Sequence, residues 1–122
     1  MKRCYLGAGV LLVLLIFGIF SSRWLEKHYE DLENRMYTAA MAEPEDMPAL
    51  VESIRARWDQ GRLLTAILAD HQHPERAAVA FSQLSPAMNR RDKPECTRLC
   101  LEIAHIFRML KEEQQLKWEN LL

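Results

Sequence analysis

The stretch from Cys4 to Ser22 limits what this chain can fold into, because its nineteen residues include no charged side chain. Lys2 and Arg3 precede it, and Arg23 follows it. At about 1.5 Å per residue the stretch makes a helix of roughly 28 Å, close to the ~30 Å hydrocarbon thickness of a bilayer. The sequence therefore predicts one membrane-spanning helix.

Two aromatic residues stand at the ends of this predicted span. Tyr5 follows the basic start, and Trp24 follows the last polar residues of the span. Amphipathic rings favour the headgroup level of a membrane. We therefore assign Tyr5 and Trp24 as membrane-interface anchors.

A cleaved secretory signal is the alternative interpretation of this segment, since such signals also combine a basic start with a short apolar stretch. Cleavage requires small residues at the first and third positions before the cut. The nearest candidate, Ile19-Phe20-Ser21, has a bulky β-branched residue at the outer position. A helical pattern also continues without a break past Trp24. We therefore expect residues 1–22 to be an uncleaved signal-anchor.

The orientation in the cell membrane depends on basic residues at both ends of the span. Lys2 and Arg3 lie on one side, and Arg23 and Lys27 lie on the other. A very short basic N-terminal tail usually stays in the cytoplasm. This favours a cytoplasmic N-terminus and an extracytoplasmic helical domain, and dominance of Arg23 and Lys27 would reverse the orientation.

The remaining hundred or so residues are enough for one small domain. Their low content of Gly, Pro, Val and Ile argues against strands. The formal net charge of −1 gives no basic surface for nucleic acid. We predict an all-α protein in which the N-terminal transmembrane helix continues into a small antiparallel helical bundle.

Residues 23–43 predict a juxtamembrane amphipathic helix that ends at Glu43-Pro44, because proline disfavours helix at the preceding residue. A coiled coil between two chains and packing against later helices of the same chain both fit its apolar stripe, and its short length favours the second. The stripe comprises Leu25, Tyr29, Leu32, Met36 and Ala39.

Residues 44–122 predict the helical bundle that packs with this juxtamembrane helix. One helix begins near Asp46 as N-cap, and Gly61 breaks or bends it. Its apolar side comprises Met47, Leu50, Val51, Ile54 and Trp58, and Leu63, Leu64, Ile67 and Leu68 continue the pattern. The next helix begins around Pro74 and ends around Asn89–Arg91, with a predicted buried side of Ala78, Phe81, Leu84, Ser85 and Met88.

The longest periodic helix follows Asp92-Lys93-Pro94-Glu95, an acidic N-cap with Glu three positions later. The short connection before it predicts an antiparallel pair with the preceding helix. Its apolar side comprises Cys96, Leu99, Cys100, Ile103, Ile106, Phe107 and Leu110. Trp118 and the last two leucines are expected to fold back onto the bundle.

Cys96 and Cys100 share a helix face, as a metal half-site requires. His105 lies half a turn away from that face, and His71 and His73 belong to the opposite end of the helical hairpin. We therefore expect two buried thiols, no metal and no cofactor. A Cys96–Cys100 disulfide would distort the helix.

Other candidate chemistry is incomplete. Asp70-His71 resembles an acid–base couple, but no serine elbow or glycine-rich loop accompanies it. Arg90, Arg91 and Lys93 make a small basic cluster among acidic residues, which is typical of a solvated turn. The sequence therefore predicts no enzyme.

A basic start, a single span and a helical run that closes on Asp-His together resemble domain-of-unknown-function family 4363, small membrane-anchored bacterial proteins. The resemblance covers nearly the whole chain and implies a bacterial membrane protein without assigned activity. Its carriers are Trp58, Asp70, His71, Leu84, Leu116, Asn120 and Leu121.

The functional hypothesis is a non-enzymatic single-pass protein that contacts the lipid bilayer and uses its helical domain to bind a protein partner. One alternative is a structural homo-oligomer formed through the span and the juxtamembrane helix, and another is a metal or redox sensor. The expected interaction surface comprises Leu25, Tyr29, Leu32, Met36 and Trp58.

Overall fold

A computed structural model of the chain describes residues 2–121, with side chains described for residues 2–117. Helices account for every regular element in that range, and no strand occurs there. They are α1 (Lys2–Ala40), α2 (Met47–Gln60), α3 (Arg62–Leu68), α4 (Gln72–Asn89) and α5 (Lys93–Leu121). The predicted all-α class is confirmed.

The predicted anchor and the predicted juxtamembrane segment form one continuous helix, α1, of 39 residues. Its N-terminal part is long and apolar enough to cross a membrane and stands clear of the bundle, with Leu11 69% exposed. From Ser21 onward one face of α1 is buried. The helix ends at Ala40, three residues before the predicted boundary at Glu43, and a turn leads into α2.

The second half of α1 packs against α5, and the two helices are antiparallel. Ser22 Oγ donates to Gln114 Oε1 at 2.8 Å, and Gln115 Nε2 donates to Glu26 Oε1 at 2.7 Å. These bonds place the C-terminal part of α5 beside the middle of α1. Helix α4 packs on α5, while α2 contacts both α1 and α4.

Aromatic rings connect the layers of the core. The Phe107 ring of α5 lies 5.3 Å from the Trp58 ring of α2 and 6.3 Å from the Phe81 ring of α4, measured between centroids. Tyr29 of α1 lies 6.4 Å from Trp58. These contacts join four helices, α1, α2, α4 and α5, into one core. Burying each large apolar side chain stabilises the fold by roughly 1.5–3 kcal/mol.

The residues expected to form an interaction surface lie in this core. Leu25, Tyr29, Leu32 and Met36 are 0% exposed, and Trp58 is 5% exposed. The four residues of α1 do not form an exposed surface, because the apolar faces of α2 and α5 cover them. The apolar stripes of two chains can therefore pair as a coiled coil only if α1 first separates from α2 and α5.

The buried side of α4 differs by about one residue from the prediction. Phe81 and Leu84 are buried as expected, but Ala78 and Ser85 are exposed. The small side chains of Ala77, Ala80 and Ala87 are buried in their place. Alanine side chains allow α4 to approach α5 closely. A prediction based on the larger residues alone therefore misplaced the centre of the buried face.

The helix ends match the predictions in one case and differ in another. Asp92 Oδ1 accepts a hydrogen bond from the Glu95 N–H at 3.4 Å, so the acidic N-cap of α5 is confirmed. Asp46 occupies the N-cap of α2, but its side chain makes no capping bond, because its backbone is already helical. The turn before α5 contains Arg91 with a positive φ of 55°.

Candidate functional site

An open cleft of about 320 Å³ lies between α2, α3 and α4. Its floor is aromatic, because Trp58 and Phe81 reach it from the core. Ionisable side chains from all three helices or their connections stand around it, namely Arg55, Asp59, Arg62, His71 and Glu75. An apolar floor below a few polar groups is typical of a binding pocket.

The charged groups of the cleft are only partly neutralised. Arg62 Nη1 lies 3.8 Å from Asp59 Oδ1, and both side chains are largely exposed, so the pair contributes little stability. The Arg55 guanidinium lies 6.0 Å from the centre of the Phe81 ring, and Arg55 forms no ion pair among the residues that the structure describes. Arg55 can therefore receive a carboxylate while its stem and Phe81 cover an apolar group.

The Asp70-His71 pair is not arranged as an acid–base couple. Asp70 Oδ1 accepts from the Gln72 N–H at 3.2 Å, and the Asp70 N–H donates to Glu113 Oε1 at 2.9 Å. Asp70 therefore shapes the turn before α4. His71 is exposed and lines the cleft, where it adds a polar group to the rim.

A second polar cluster joins α1, α3 and α5 at the end of the bundle nearest the apolar half of α1. Gln114, only 1% exposed, accepts from Ser22 and donates through Nε2 to the Leu68 carbonyl oxygen at 3.2 Å. Lys117 donates to the same carbonyl. Because the Leu68 carbonyl at the C-terminal end of α3 receives two donors, this cluster fixes the end of α3.

Glu113 extends this cluster toward α4. It lies 3.5 Å from Lys117 Nζ through Oε1 and 3.9 Å from His73 Nε2 through Oε2. Glu113 Oε2 and His73 Nδ1 are buried without a hydrogen-bond partner among the described atoms. This cluster was not predicted from the sequence, although Gln114 follows Leu110 by four residues and so interrupts the apolar face of α5 with a polar group.

Cys96 and Cys100 are 3% and 0% exposed, and both are free thiols. Burial raises the pKa of Cys100 to about 11 and also raises the pKa of Cys96. A protonated, buried thiol is a poor nucleophile and a poor metal ligand. His105 is exposed, and among residues 2–117 no group of three or more His, Cys, Asp or Glu side chains could hold a metal ion.

The two predicted interface anchors differ in their surroundings. Tyr5 is 80% exposed on the free part of α1. Trp24 is 40% exposed and stacks on His28, with ring centroids 4.7 Å apart. Burial lowers the pKa of His28, which favours the neutral form of the stacked imidazole. The Trp24–His28 stack lies against Gly61, at the start of α3.

Three sequence predictions concern the chain end or the turn before α5. The side chains of Trp118, Asn120 and Leu121, and all of Leu122, lie outside the described residues. Arg90 and Arg91 occupy the turn before α5, Lys93 begins α5, and all three are exposed, as expected.

Searches of protein-family models, curated proteins and solved structures find no match to this chain, so its function has to be inferred from its own geometry.

Proposed function

We propose that this chain is a non-enzymatic, single-pass membrane protein whose helical bundle binds a segment of a partner protein in the cleft between α2, α3 and α4. The cleft is the observation that carries this proposal. It is an open depression with an aromatic floor, and the Arg55 guanidinium beside it forms no ion pair with any described carboxylate. Its volume lies at the lower end of the range for ligand pockets, roughly 300–1,000 Å³, which suits one or two side chains of a peptide.

Membrane anchoring is supported by the continuity of α1. Gly18 and Ser22 belong to the apolar run, and they line a groove together with Leu68, Gln114 and Lys117 of the bundle. Signal cleavage after Ser21 or Ser22 would remove contacts that the bundle uses. This favours a retained anchor, in agreement with the poor cleavage site.

The chemistry of the cleft favours a partner segment that combines an aromatic or aliphatic side chain with a neighbouring carboxylate. Trp58 and Phe81 would contact the apolar group, and Arg55 would pair with the carboxylate. None of these roles requires a reaction, so the proposed partner binding is non-enzymatic.

The cleft can be filled without disturbing the core. Ala78 lines it and is exposed, whereas the adjacent Val79 is exposed on another face of α4. Ala78→Trp should block the cleft, and Val79→Trp serves as the matched control. A photo-cross-linking amino acid at position 62, on the cleft rim, would report the occupant in intact membranes of the native host.

We expect a discrete heterologous adduct that Ala78→Trp abolishes and Val79→Trp preserves. Absence of an adduct, or an adduct that is insensitive to Ala78→Trp, would refute binding in the cleft. An adduct of twice the chain mass that follows the same pattern would instead establish a homo-oligomer.

A further inference from the structure

We infer that α3 is an interfacial helix, which inserts Leu63 and Ile67 into the headgroup and acyl boundary of the same bilayer that the apolar part of α1 crosses. This inference rests on the proposed membrane anchoring and goes beyond it, because it gives a second lipid contact to the bundle itself. Leu63 is 74% exposed and Ile67 is 68% exposed. They are four residues apart, so they share one face of α3.

The free length of α1 is the first argument. Residues 2–17 are all exposed, Gly18 and Ile19 are half-buried, and beyond them in the apolar run Phe20 alone is exposed. The apolar part of the continuously exposed stretch, Cys4–Phe17, has fourteen residues. Fourteen residues make a helix of roughly 21 Å, well short of the ~30 Å hydrocarbon core. Either the bilayer thins around the helix, or its surface lies at the level of the first residues of the bundle.

The position of α3 along α1 is the second argument. The start of α3 faces the Trp24–His28 stack through Gly61. Its end, Leu68, lines a groove with Leu14 and Gly18. Helix α3 therefore runs along α1 from the predicted interface anchor, Trp24, toward the lipid-facing residues. Its exposed face lies at the depth that the bilayer must reach if the free part of α1 is too short to cross it.

The attachment of α3 to α1 is the third argument. Thr65, the one buried residue of α3, is 1% exposed and hydrogen-bonds through Oγ1 to Tyr29 Oη at 2.7 Å. Thr65 follows Leu63 by two residues and precedes Ile67 by two, so at about 100° per residue the bonded face and the apolar face point in different directions. The hydrogen bond therefore keeps Leu63 and Ile67 pointing away from the core at a fixed position along α1.

Nitroxide labels can measure this insertion in the full chain reconstituted in phosphatidylcholine vesicles. The labels are attached one at a time to Leu63→Cys and Ile67→Cys in a Cys4→Ser background, in which the two remaining thiols are buried. Leu101→Cys, on an exposed face of α5, is the aqueous control, and Leu11→Cys is the control within the span. Collisions with oxygen report lipid exposure, and collisions with a water-soluble nickel chelate report water exposure.

We expect labels at Leu63 and Ile67 to lose their collisions with the nickel chelate and to retain collisions with oxygen, as at Leu11. Nickel collisions at both α3 sites equal to those at Leu101, with Leu11 still protected, would overturn the interfacial role of α3 and leave the anchor intact. Nickel access at Leu11 as well would overturn the anchor and α3 insertion together.

Discussion

The hydrogen bond between Tyr29 and Thr65 should be a principal energetic link between α3 and the rest of the bundle. Both groups are buried, and their oxygens are 2.7 Å apart. Tyr29→Phe and Thr65→Val each remove one partner with almost no change of volume. Each should lower the free energy of unfolding by about 1–3 kcal/mol, because the other hydroxyl is left buried without its partner.

The double variant should be much less destabilised than the sum of the two single variants, since no unpaired hydroxyl remains. We expect a coupling free energy of about 1 kcal/mol or more from the double-mutant cycle. Urea unfolding of the full chain in a mild non-ionic detergent, followed by far-UV circular dichroism, measures all four proteins. Thr38→Val is the matched control, because the exposed Thr38 hydroxyl bonds only to the Asn34 carbonyl of its own helix at 3.1 Å. Its effect should stay within about 0.5 kcal/mol.

Additive losses in this cycle, or a loss at Thr38 as large as at Thr65, would refute the argument that the buried pair holds α3. The pH dependence of unfolding gives an independent check. Burial raises the pKa of Tyr29 from 10.0 to about 12. The unfolded chain therefore releases the phenolic proton before the folded chain does, so stability is unaffected below pH 10 and falls as the pH rises toward 12. The full loss is about 2–3 kcal/mol, and Tyr29→Phe should remove that part of the alkaline decline.

Three further predictions concern the backbone and the thiols. Gly61→Ala should destabilise the bundle by about 1–3 kcal/mol in the same urea unfolding measurement, because the new Cβ would lie 2.7 Å from His28 Nε2. Gly9→Ala is the control, because nothing lies within 4 Å of its new Cβ. Arg91→Gly should raise the unfolding free energy by about 0.5–1 kcal/mol, since the positive φ suits glycine, and an unchanged or lower denaturation midpoint would contradict this. In a Cys4→Ser variant, neither thiol of α5 should react with a maleimide at neutral pH until the protein is denatured, and mass spectrometry of the folded protein checks this directly.

Long apolar periodicity explains how much of the fold could be predicted from the sequence. Seven residues on one face of α5 recur over four turns, and all seven are buried. Asp92 precedes this pattern, so the N-cap was fixed by a local signal. The stripe that includes Tyr29 was also recognised as apolar, and its short length correctly favoured packing within the same chain, but the helices that cover it, α2 and α5, were not specified. A stripe indicates that a face will be covered, and only the tertiary arrangement determines whether another chain or α5 covers it.

The cleft had no local signal because its parts come from separate elements. Trp58 and Phe81 read as core residues in their own helices, and Arg55 reads as a solvated charge. Only the packing of α2 against α4 brings these three side chains around one depression. The Gln114 cluster differs in this respect, since one polar group on an otherwise apolar face is visible in the sequence and marks a buried hydrogen bond.

The continuity of α1 restricts what kind of partner can use the cleft. Between Arg23 and Ala40 the helix contains neither Gly nor Pro, so no flexible joint separates the span from the bundle. Trp58, on the cleft floor, lies beside Tyr29, which is seven residues beyond Ser22. Seven residues of helix rise by roughly 10 Å, so the cleft stands about that far above the end of the apolar run. In the proposed membrane-anchored arrangement, a segment that occupies the cleft must approach the bilayer surface equally closely, so we expect the proposed partner to be a membrane protein with an acidic juxtamembrane segment.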